Sequence, residues 1–249
     1  MPLKNIDQCI VDAARVSYDS ESTKHVSNAE GLIRYLMRHW HTTPFEMAEF
    51  KFHIKMPLFV ARQHMRHRTA NVNEVSARYS VVKDEFFEPE VLRKQAVVNK
   101  QGSEGESSAT NDIGETNRKA HEYYKSLLDA GVCREQARMV LPQTMYTEFI
   151  WKIDLHNLMH FLHLRMDSHA QEEIRDYANA IYKLVAPQAP LTMKAFNDFR
   201  VHAVQFSGPE FANLRALLGD LPEDIPVEGL SKGEAREFKD KLRKLSSNA

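Results

Sequence analysis

Within fifteen residues, the stretch Arg66-His67-Arg68-Thr69-Ala70-Asn71-Val72-Asn73-Glu74-Val75-Ser76-Ala77-Arg78-Tyr79-Ser80 gathers three guanidiniums, an imidazole, a carboxylate and two serine hydroxyls. No helix or strand pattern needs that mixture for burial. Guanidiniums this close repel one another unless an anion lies between them, and the planar arginine fork grips phosphate at two points. A solvated basic turn would carry the same charges. Two features favour a site for a phosphorylated small molecule. The apolar segment Pro57-Leu58-Phe59-Val60-Ala61 runs into the stretch, and Asn, Glu, Ser and Arg follow as a mixed set of donors and acceptors. Ser76 is not read as a nucleophile. A nucleophilic serine needs an adjacent base, and only Glu74 is near in sequence.

The second chemical segment is 155–166. On a helical wheel His156, His160 and His163 share one narrow face, while Leu155, Leu158, Met159, Phe161, Leu162, Leu164 and Met166 fill most of the rest. Arg165 projects from the apolar arc. A guanidinium there is costly unless it is paired. It either steadies the helix C-terminus or reaches into a binding pocket. The three histidines would suit a metal ion by spacing, but one helix rarely supplies three ligands, and no His-Glu-x-x-His pattern is present. A polar stripe is the plainer reading, and no metal is expected.

These groups need elements to hold them. Residues 28–40 read as a helix with Leu32, Ile33, Leu36, Met37 and Trp40 in one stripe, broken by Pro44. From Glu46 to Met56 the period is two, with Phe50, Phe52, Ile54 and Met56 on one face: a half-buried strand. Pro57 suits the first position of a following helix, which places Gln63 and Arg66 on one face. Val75–Val82 is a candidate second strand. The Gly/Ser/Glu-rich stretch at about 99–116 reads as a mobile surface insertion. Helices are expected at 116–130, ended by Gly131, and at 133–141, before Pro142. Glu148–Ile153 alternates weakly, with Phe149, Trp151 and Ile153 on one side. Ser168 and Gln171 form a capping-box pair for a helix with the stripe Ile174, Tyr177, Ile181 and Leu184, closed by Pro187 and Pro190. Helices mixed with short alternating strands indicate an α+β fold.

The whole chain sets bounds. At 249 residues and 43% apolar content it can bury a sizeable core. Its 33 basic and 34 acidic residues nearly cancel, so no global field draws nucleic acid or a membrane. A nucleic-acid module built on Arg62, Arg66, Arg68 and Arg78 would need a broad basic face. No apolar run reaches the length of a membrane span, and Met1-Pro2-Leu3-Lys4-Asn5 has no apolar signal region. A cytoplasmic protein is expected. Cys9 and Cys133 are too few for a disulfide framework. Cys9, in Cys9-Ile10-Val11, is expected to be a small buried hydrophobe. Cys133 falls at an expected helix start, the one place where a thiol here could be activated.

The stretch 66–80 resembles the Arg-His-Arg … Ser-x-Arg signature of the flavin-dependent thymidylate synthases. The resemblance runs from Ala13-Ala14-Arg15-Val16-Ser17-Tyr18 through His41-Thr42-Thr43-Pro44-Phe45-Glu46 to Leu164-Arg165-Met166-Asp167-Ser168-His169-Ala170-Gln171, roughly residues 13 to 200. It implies a twisted, mainly antiparallel sheet packed with helices, in one domain over 1–205 that forms a homotetramer with sites between subunits. Residues 206–249 would be an extension without assigned role. The implied activity is methylation of deoxyuridine monophosphate (dUMP) at C5, giving thymidylate. FAD would be the cofactor, with NADPH and methylenetetrahydrofolate as cosubstrates. By motif, Gln63, His64, Met65, Arg66, Glu74, Val75, Ser76, Ala77, Arg78, Arg138 and Arg165 would hold dUMP, with Arg165 also catalytic at the pyrimidine edge. Ser17, Thr43, Glu46, Arg66, His67, Arg68, Glu74, Asp154, Leu155, His156 and His160 would hold FAD. His41 would line the pocket where folate approaches the flavin. The chain departs from the pattern at Asn71, where other members often have serine. At Asp154, His156 and His160 some members carry Asn, Arg and Asn.

Overall fold

The computed structural model describes residues 5–17, 28–98, 102–219 and 226–245. Two compact units separate at Val201/His202.

The larger unit is built on a three-stranded sheet in the order β1-β5-β2, where β1 is Glu49–Pro57, β2 Asn71–Glu74 and β5 Tyr146–Asp154. Both pairings are antiparallel. β1 lies along β5 from Glu49 opposite Asp154 to Pro57 opposite Tyr146, and β2 lies along the other edge from Asn71 opposite Lys152 to Glu74 opposite Phe149. The period-two pattern does the sorting. On β5, Thr147, Phe149, Trp151 and Ile153 are buried; on β1, Ile54 and Met56 are buried while Glu49, Lys51, His53 and Lys55 face solvent. α7 (Leu155–Arg165) follows β5 directly and sends Leu155, Leu158, Phe161 and Leu162 into the core. α8 (Glu172–Val185) adds Ile174, Ala178, Ile181 and Val185.

Several expected elements shift. The candidate second strand at Val75–Val82 is not one: strand β2 precedes it. Val75 still donates to the Glu148 carbonyl at 2.9 Å, but Ser76 then closes a turn. Its Oγ accepts the Arg78 N–H at 3.2 Å, and its carbonyl accepts from Tyr79 and Ser80. Local side-chain bonding of this kind competes with a ladder. Pro57 ends β1 and caps α4 (Leu58–His64) from outside rather than opening it. No capping box forms at Ser168. Gln171 is the N-cap of α8, and its side chain bonds Gln63 and Glu173 instead. Leu184 is 64% exposed because the buried α8 stripe runs through Ala178 and Val185. Pro190 opens a further helix, α9 (Pro190–Phe196), rather than closing α8.

The stretch expected to be a mobile insertion carries secondary structure at both ends. Arg93–Gln95 (β3) and Ser103–Glu106 (β4) pair as a two-stranded ribbon, and α5 begins at Ile113 and runs to Asp129. Residues 99–101 lie outside the described residues. Arg93 ties the ribbon to α8 through Glu172 at 3.0 Å and Glu173 at 2.7 Å. Gly131, with φ +82°, ends the α5 segment as expected, and α6 (Arg134–Ala137) continues as a 3-10 turn, Arg138–Val140.

At the other end, α1 (Ile6–Arg15) buries Ile10, Val11 and Ala14, while Cys9, expected inside, is exposed on the opposite face. α2 (Ala29–Arg38) ends in a left-handed turn at Trp40, φ +59°. The His41 N–H returns to the Leu36 carbonyl at 3.0 Å, the six-to-one bond of a Schellman turn. Glycine is the usual residue at that position; a side chain there costs about 1–2 kcal/mol. Pro44, which stops α2, sits in the first turn of the short α3 (Thr43–Glu46). The smaller unit pairs α10 (Gly208–Leu218), which has a capping box of Ser207 and Glu210, with α11 (Lys232–Leu245). Among the described residues no helix is long and apolar enough to cross a membrane.

One buried carboxylate joins the ends of the larger unit. Asp7, 1% exposed, accepts from Leu191 N–H at 2.8 Å and from Thr192 N–H and Oγ1 at 3.0 and 2.7 Å. It caps α9 from a helix far away in sequence. Asp7→Ala leaves three donors unanswered, the two of Thr192 buried, and we expect a loss of about 2–4 kcal/mol. Urea denaturation measures it; a change below about 0.5 kcal/mol would show that the cap is unimportant.

Candidate functional site

The β2–β5 pairing places Glu74 beside Thr147, whose Oγ1 donates to Glu74 Oε1 at 2.5 Å. α4 brings Gln63 to the same region. At the C-terminus of α7, Arg165 reaches across: Nε donates to His67 Nε2 at 3.0 Å and Nη2 to the Gln63 carbonyl at 3.5 Å. A pocket of about 600 Å³ is lined by Gln63, Met65, Arg66, Glu74 and Arg165, with Phe59 and Gln143 among its other walls. Five expected nucleotide residues thus share one cavity. Gln143 was missed; it sits in an irregular segment after Pro142, where no periodicity marks it. A second pocket, of about 610 Å³, lined by Lys55, Glu85, Glu88 and Arg118 among others, contains none of the expected residues.

Arg78 and Arg138 do not line the Arg165 pocket; both contact Glu135. Arg78 Nε lies 3.6 Å from the Glu135 carboxylate, and Arg138 Nε donates to the Glu135 carbonyl at 3.4 Å. Arg134, also missed, donates to the Tyr79 carbonyl at 2.8 Å and anchors the turn that carries Ser76, Ala77 and Arg78. Ser76 Oγ is engaged by the backbone and Glu74 by Thr147, so no base is poised on Ser76. Arg66 and Arg68 make no side-chain ion pair among the described residues. Cations left without counter-charge suit an anionic ligand.

The expected flavin residues divide. His67 and His160 are neighbours, ring centroids 6.0 Å apart, beside Arg165. Asp154 is the N-cap of α7, accepting from Asn157 N–H at 2.9 Å and its Nδ2 at 2.7 Å. Leu155 is fully buried, and its N–H donates to the Ala48 carbonyl at 2.8 Å. His156 lies on α7; Thr43 and Glu46 lie on α3, which packs against α7. His41 follows the left-handed turn, edge-on to Tyr35 at 5.7 Å. Ser17 lies exposed beyond α1. Within one chain none of Ser17, His41, Thr43 and Glu46 lines the 600 Å³ pocket. His156, His160 and His163 do not gather into a cluster that could hold an ion.

Two imidazoles here are held neutral. Burial, then the Arg165 charge, then His160 push His67 down to about 4. Because Arg165 donates to Nε2, the remaining proton sits on Nδ1, leaving that nitrogen as a donor. His64, expected to touch nucleotide, is instead fully buried. Its ring packs against Trp151, Phe161 and Phe149 at 4.3, 4.9 and 5.4 Å, and neither nitrogen has a partner among the described residues. Burial pushes it down to about 3. His64 does not line the pocket.

Both shifts have one sign. The native imidazoles bind protons less readily than the unfolded ones, whose ordinary value is 6.5. The stability they contribute is therefore present above about 6.5 and is lost as pH falls toward 4 and 3. Replacing His64 by Phe keeps the aromatic contacts and removes two unpaired buried nitrogens. We expect His64→Phe to gain about 1–3 kcal/mol at neutral pH and to flatten the acid limb of the stability curve. Chemical denaturation from pH 4 to 8 checks both; a less stable variant with an unchanged slope would mean that the imidazole is satisfied.

Comparison with known proteins adds to this geometry. The family model described as thymidylate synthase complementing protein matches residues 2–191. A flavin-dependent thymidylate synthase of Thermus thermophilus is 50% identical over 96% of this chain and 89% of its own. One of Dictyostelium discoideum is 48% identical over 97% of this chain and 80% of its own. Among solved structures, the UMP/dUMP methylase PolB from Streptomyces cacaoi bound with 5-Br dUMP superposes with a TM-score of 0.71. It is 35% identical and covers 78% of this chain and 92% of its own. The chain belongs to the thymidylate synthase complementing protein family, the flavin-dependent thymidylate synthases, and is an enzyme.

Proposed function

We propose that the protein methylates dUMP at C5 to give thymidylate, with FAD bound at the Arg66–Arg68 loop, NADPH as reductant and methylenetetrahydrofolate as carbon donor. The observation that carries this reading is the pocket that joins Gln63 of α4 and Arg66 and Glu74 of the signature to Arg165 of a distant helix. Outside that lining, Arg78 and Arg138 with Ser76 and the Ala77 backbone are assigned the phosphate. Arg78 gives up its loose contact with Glu135 for a doubly charged ligand. Arg165 stabilises charge that develops on the pyrimidine as C5 becomes nucleophilic. Its partner in the free enzyme is a neutral imidazole, so no carboxylate competes for the guanidinium. Bound flavin would supply the hydride that reduces the transferred methylene to methyl, since no side chain donates one. The donor set fits that group: Arg66 and Arg68 suit its phosphates, and the Nδ1 proton of His67 suits a ring acceptor. Ser17, His41, Thr43 and Glu46 complete the site from a neighbouring subunit of a homotetramer.

The purified protein should carry a flavin absorption band and sediment as a tetramer. A monomer unable to take up flavin would sink the assignment. Arg78→Lys and Arg165→Lys keep charge but lose the planar fork. Each is expected to weaken dUMP binding about ten- to a hundredfold; titrations like those of wild type for both would move the nucleotide elsewhere.

Neither thiol takes part. Cys9 is exposed on α1, and Cys133 is the exposed N-cap of the single-turn α6; neither lines the pocket. The double variant Cys9→Ser, Cys133→Ser should retain thymidylate formation. A folded, flavin-bound double variant without activity would require a cysteine nucleophile.

A further inference from the structure

Trp40 is an awkward residue where it stands. It holds a left-handed conformation, φ +59°, the one positive φ outside glycine among the described residues, and it exposes 65% of its surface. Neither property is favourable for a large aromatic side chain. The turn nevertheless decides how the chain leaves α2, because the next residue is His41, whose N–H closes the turn on Leu36.

The Arg200 side chain reaches this turn from elsewhere in the larger unit. The Arg200 guanidinium carbon lies 3.6 Å from the centroid of the Trp40 ring. Its Nη2 donates to the Met37 carbonyl at 2.5 Å, one of the last carbonyls of α2, and its Nη1 donates to the Phe199 carbonyl at 2.8 Å. Arg200 reaches this place from a π-helical turn, Asn197–Val201, a rare geometry concentrated at functional positions. That turn is itself fixed. Asp198 pairs with Arg34 at 2.5 Å, Arg34 lies over Phe199 at 4.6 Å, and Asn197 Nδ2 donates to Tyr182 at 2.6 Å. Cation and ring attract, and the attraction grows as the guanidinium is desolvated.

We propose that Arg200 is a positioning residue for His41: laid across Trp40 and bonded to Met37, it locks the left-handed turn that sets the direction in which His41 leaves α2. This rests on the reading above only in giving His41 a place in the cosubstrate pocket. The lock itself is a matter of backbone geometry.

Glycine takes this turn without strain. If Arg200 acts by holding Trp40 there, Trp40→Gly makes Arg200 dispensable. The test is a double-mutant cycle on the purified full-length protein, followed by amide hydrogen exchange at His41 and, on its flavin-loaded form, by separate KM values for methylenetetrahydrofolate and dUMP. Arg200→Ala in the wild-type background should speed His41 exchange about five- to twentyfold. It should raise the folate KM by a similar factor and leave the dUMP KM unchanged. In the Trp40→Gly background the same substitution should change exchange less than about twofold. Should Arg200→Ala not fold, Arg200→Lys carries the cycle, since it keeps the charge and loses the flat face. An Arg200 effect of equal size in both backgrounds, or no effect on His41 exchange in either, overturns the proposal. The expected exchange pattern with an unmoved folate KM supports the lock and removes only the assignment of His41 to the cosubstrate pocket. Loss of flavin binding by the wild-type protein would bear on the proposed reaction and leave the exchange cycle intact.

Discussion

The antiparallel pairing of β2 with β5 is the constraint on which the site depends. Four residues of the signature, Asn71–Glu74, lie on an edge whose other side already holds β1. Register in such a ladder is all or nothing. A slip of one residue would turn Glu74 away from Thr147 and carry Arg78 away from Glu135. The burial of Phe149, Trp151 and Ile153 prevents β5 from slipping, because their alternate neighbours would have to enter the core. The geometry of the candidate site is therefore held by buried apolar side chains. The same strand runs into α7 without a break, so one rigid segment fixes both Glu74 from outside and Arg165 from its far end.

That arrangement concentrates positive charge where little negative charge answers it. Arg66 and Arg68 lack acidic partners among the described residues, Arg78 holds Glu135 only at 3.6 Å, and Arg165 rests on an imidazole. In a chain with almost balanced charges this is local, not a bulk field. The nearby histidines respond as electrostatics requires. His67 and His64 are driven neutral by burial and by the Arg165 cation, so they add no repulsion to the cluster. Stability and binding draw on the same charges, and an anion that enters relieves repulsion that the free protein holds.

Much of this was legible in the sequence where periodicity was strong. The alternation from Glu46 to Met56 and the apolar wheel at 155–166 located β1 and α7, and spacing alone put Gln63 near Arg66. What failed has common causes. Val75–Val82 had β-forming residues, but Ser76 spends its hydroxyl on the Arg78 N–H, an interaction no propensity records. Ser168 and Gln171 had capping spacing, but Gln171 is drawn to Gln63 by tertiary contact. His64 was placed in the site by its neighbours in the motif, while its helical phase turned it inward onto Trp151. Gln143, Arg134 and Glu135 enter the site region from irregular segments or a single helical turn, which carry no period. The joining of Arg165 to His67, ninety-eight positions away, depends on packing that only the folded chain supplies.

The choice of a neutral partner for Arg165 has a physical consequence. A carboxylate facing a half-buried guanidinium would form a charge-assisted pair that a substrate would have to break. An imidazole satisfies one N–H of the fork and leaves the net charge in place. Arg165 is thus oriented without being neutralised. Its pKa is lowered by burial alone, which marks a cation held partly out of water with no ion pair to offset that cost. Such a group interacts strongly with any charge that forms beside it, because less solvent screens it. The bond to Nε2 fixes the His67 proton on Nδ1, so each residue orients the other, and one contact presets a cation and a donor together. A protonated His67 could not accept that bond. The neutrality of His67 and the orientation of Arg165 are therefore one property of the site, set by the packing of α7 against the loop that follows α4.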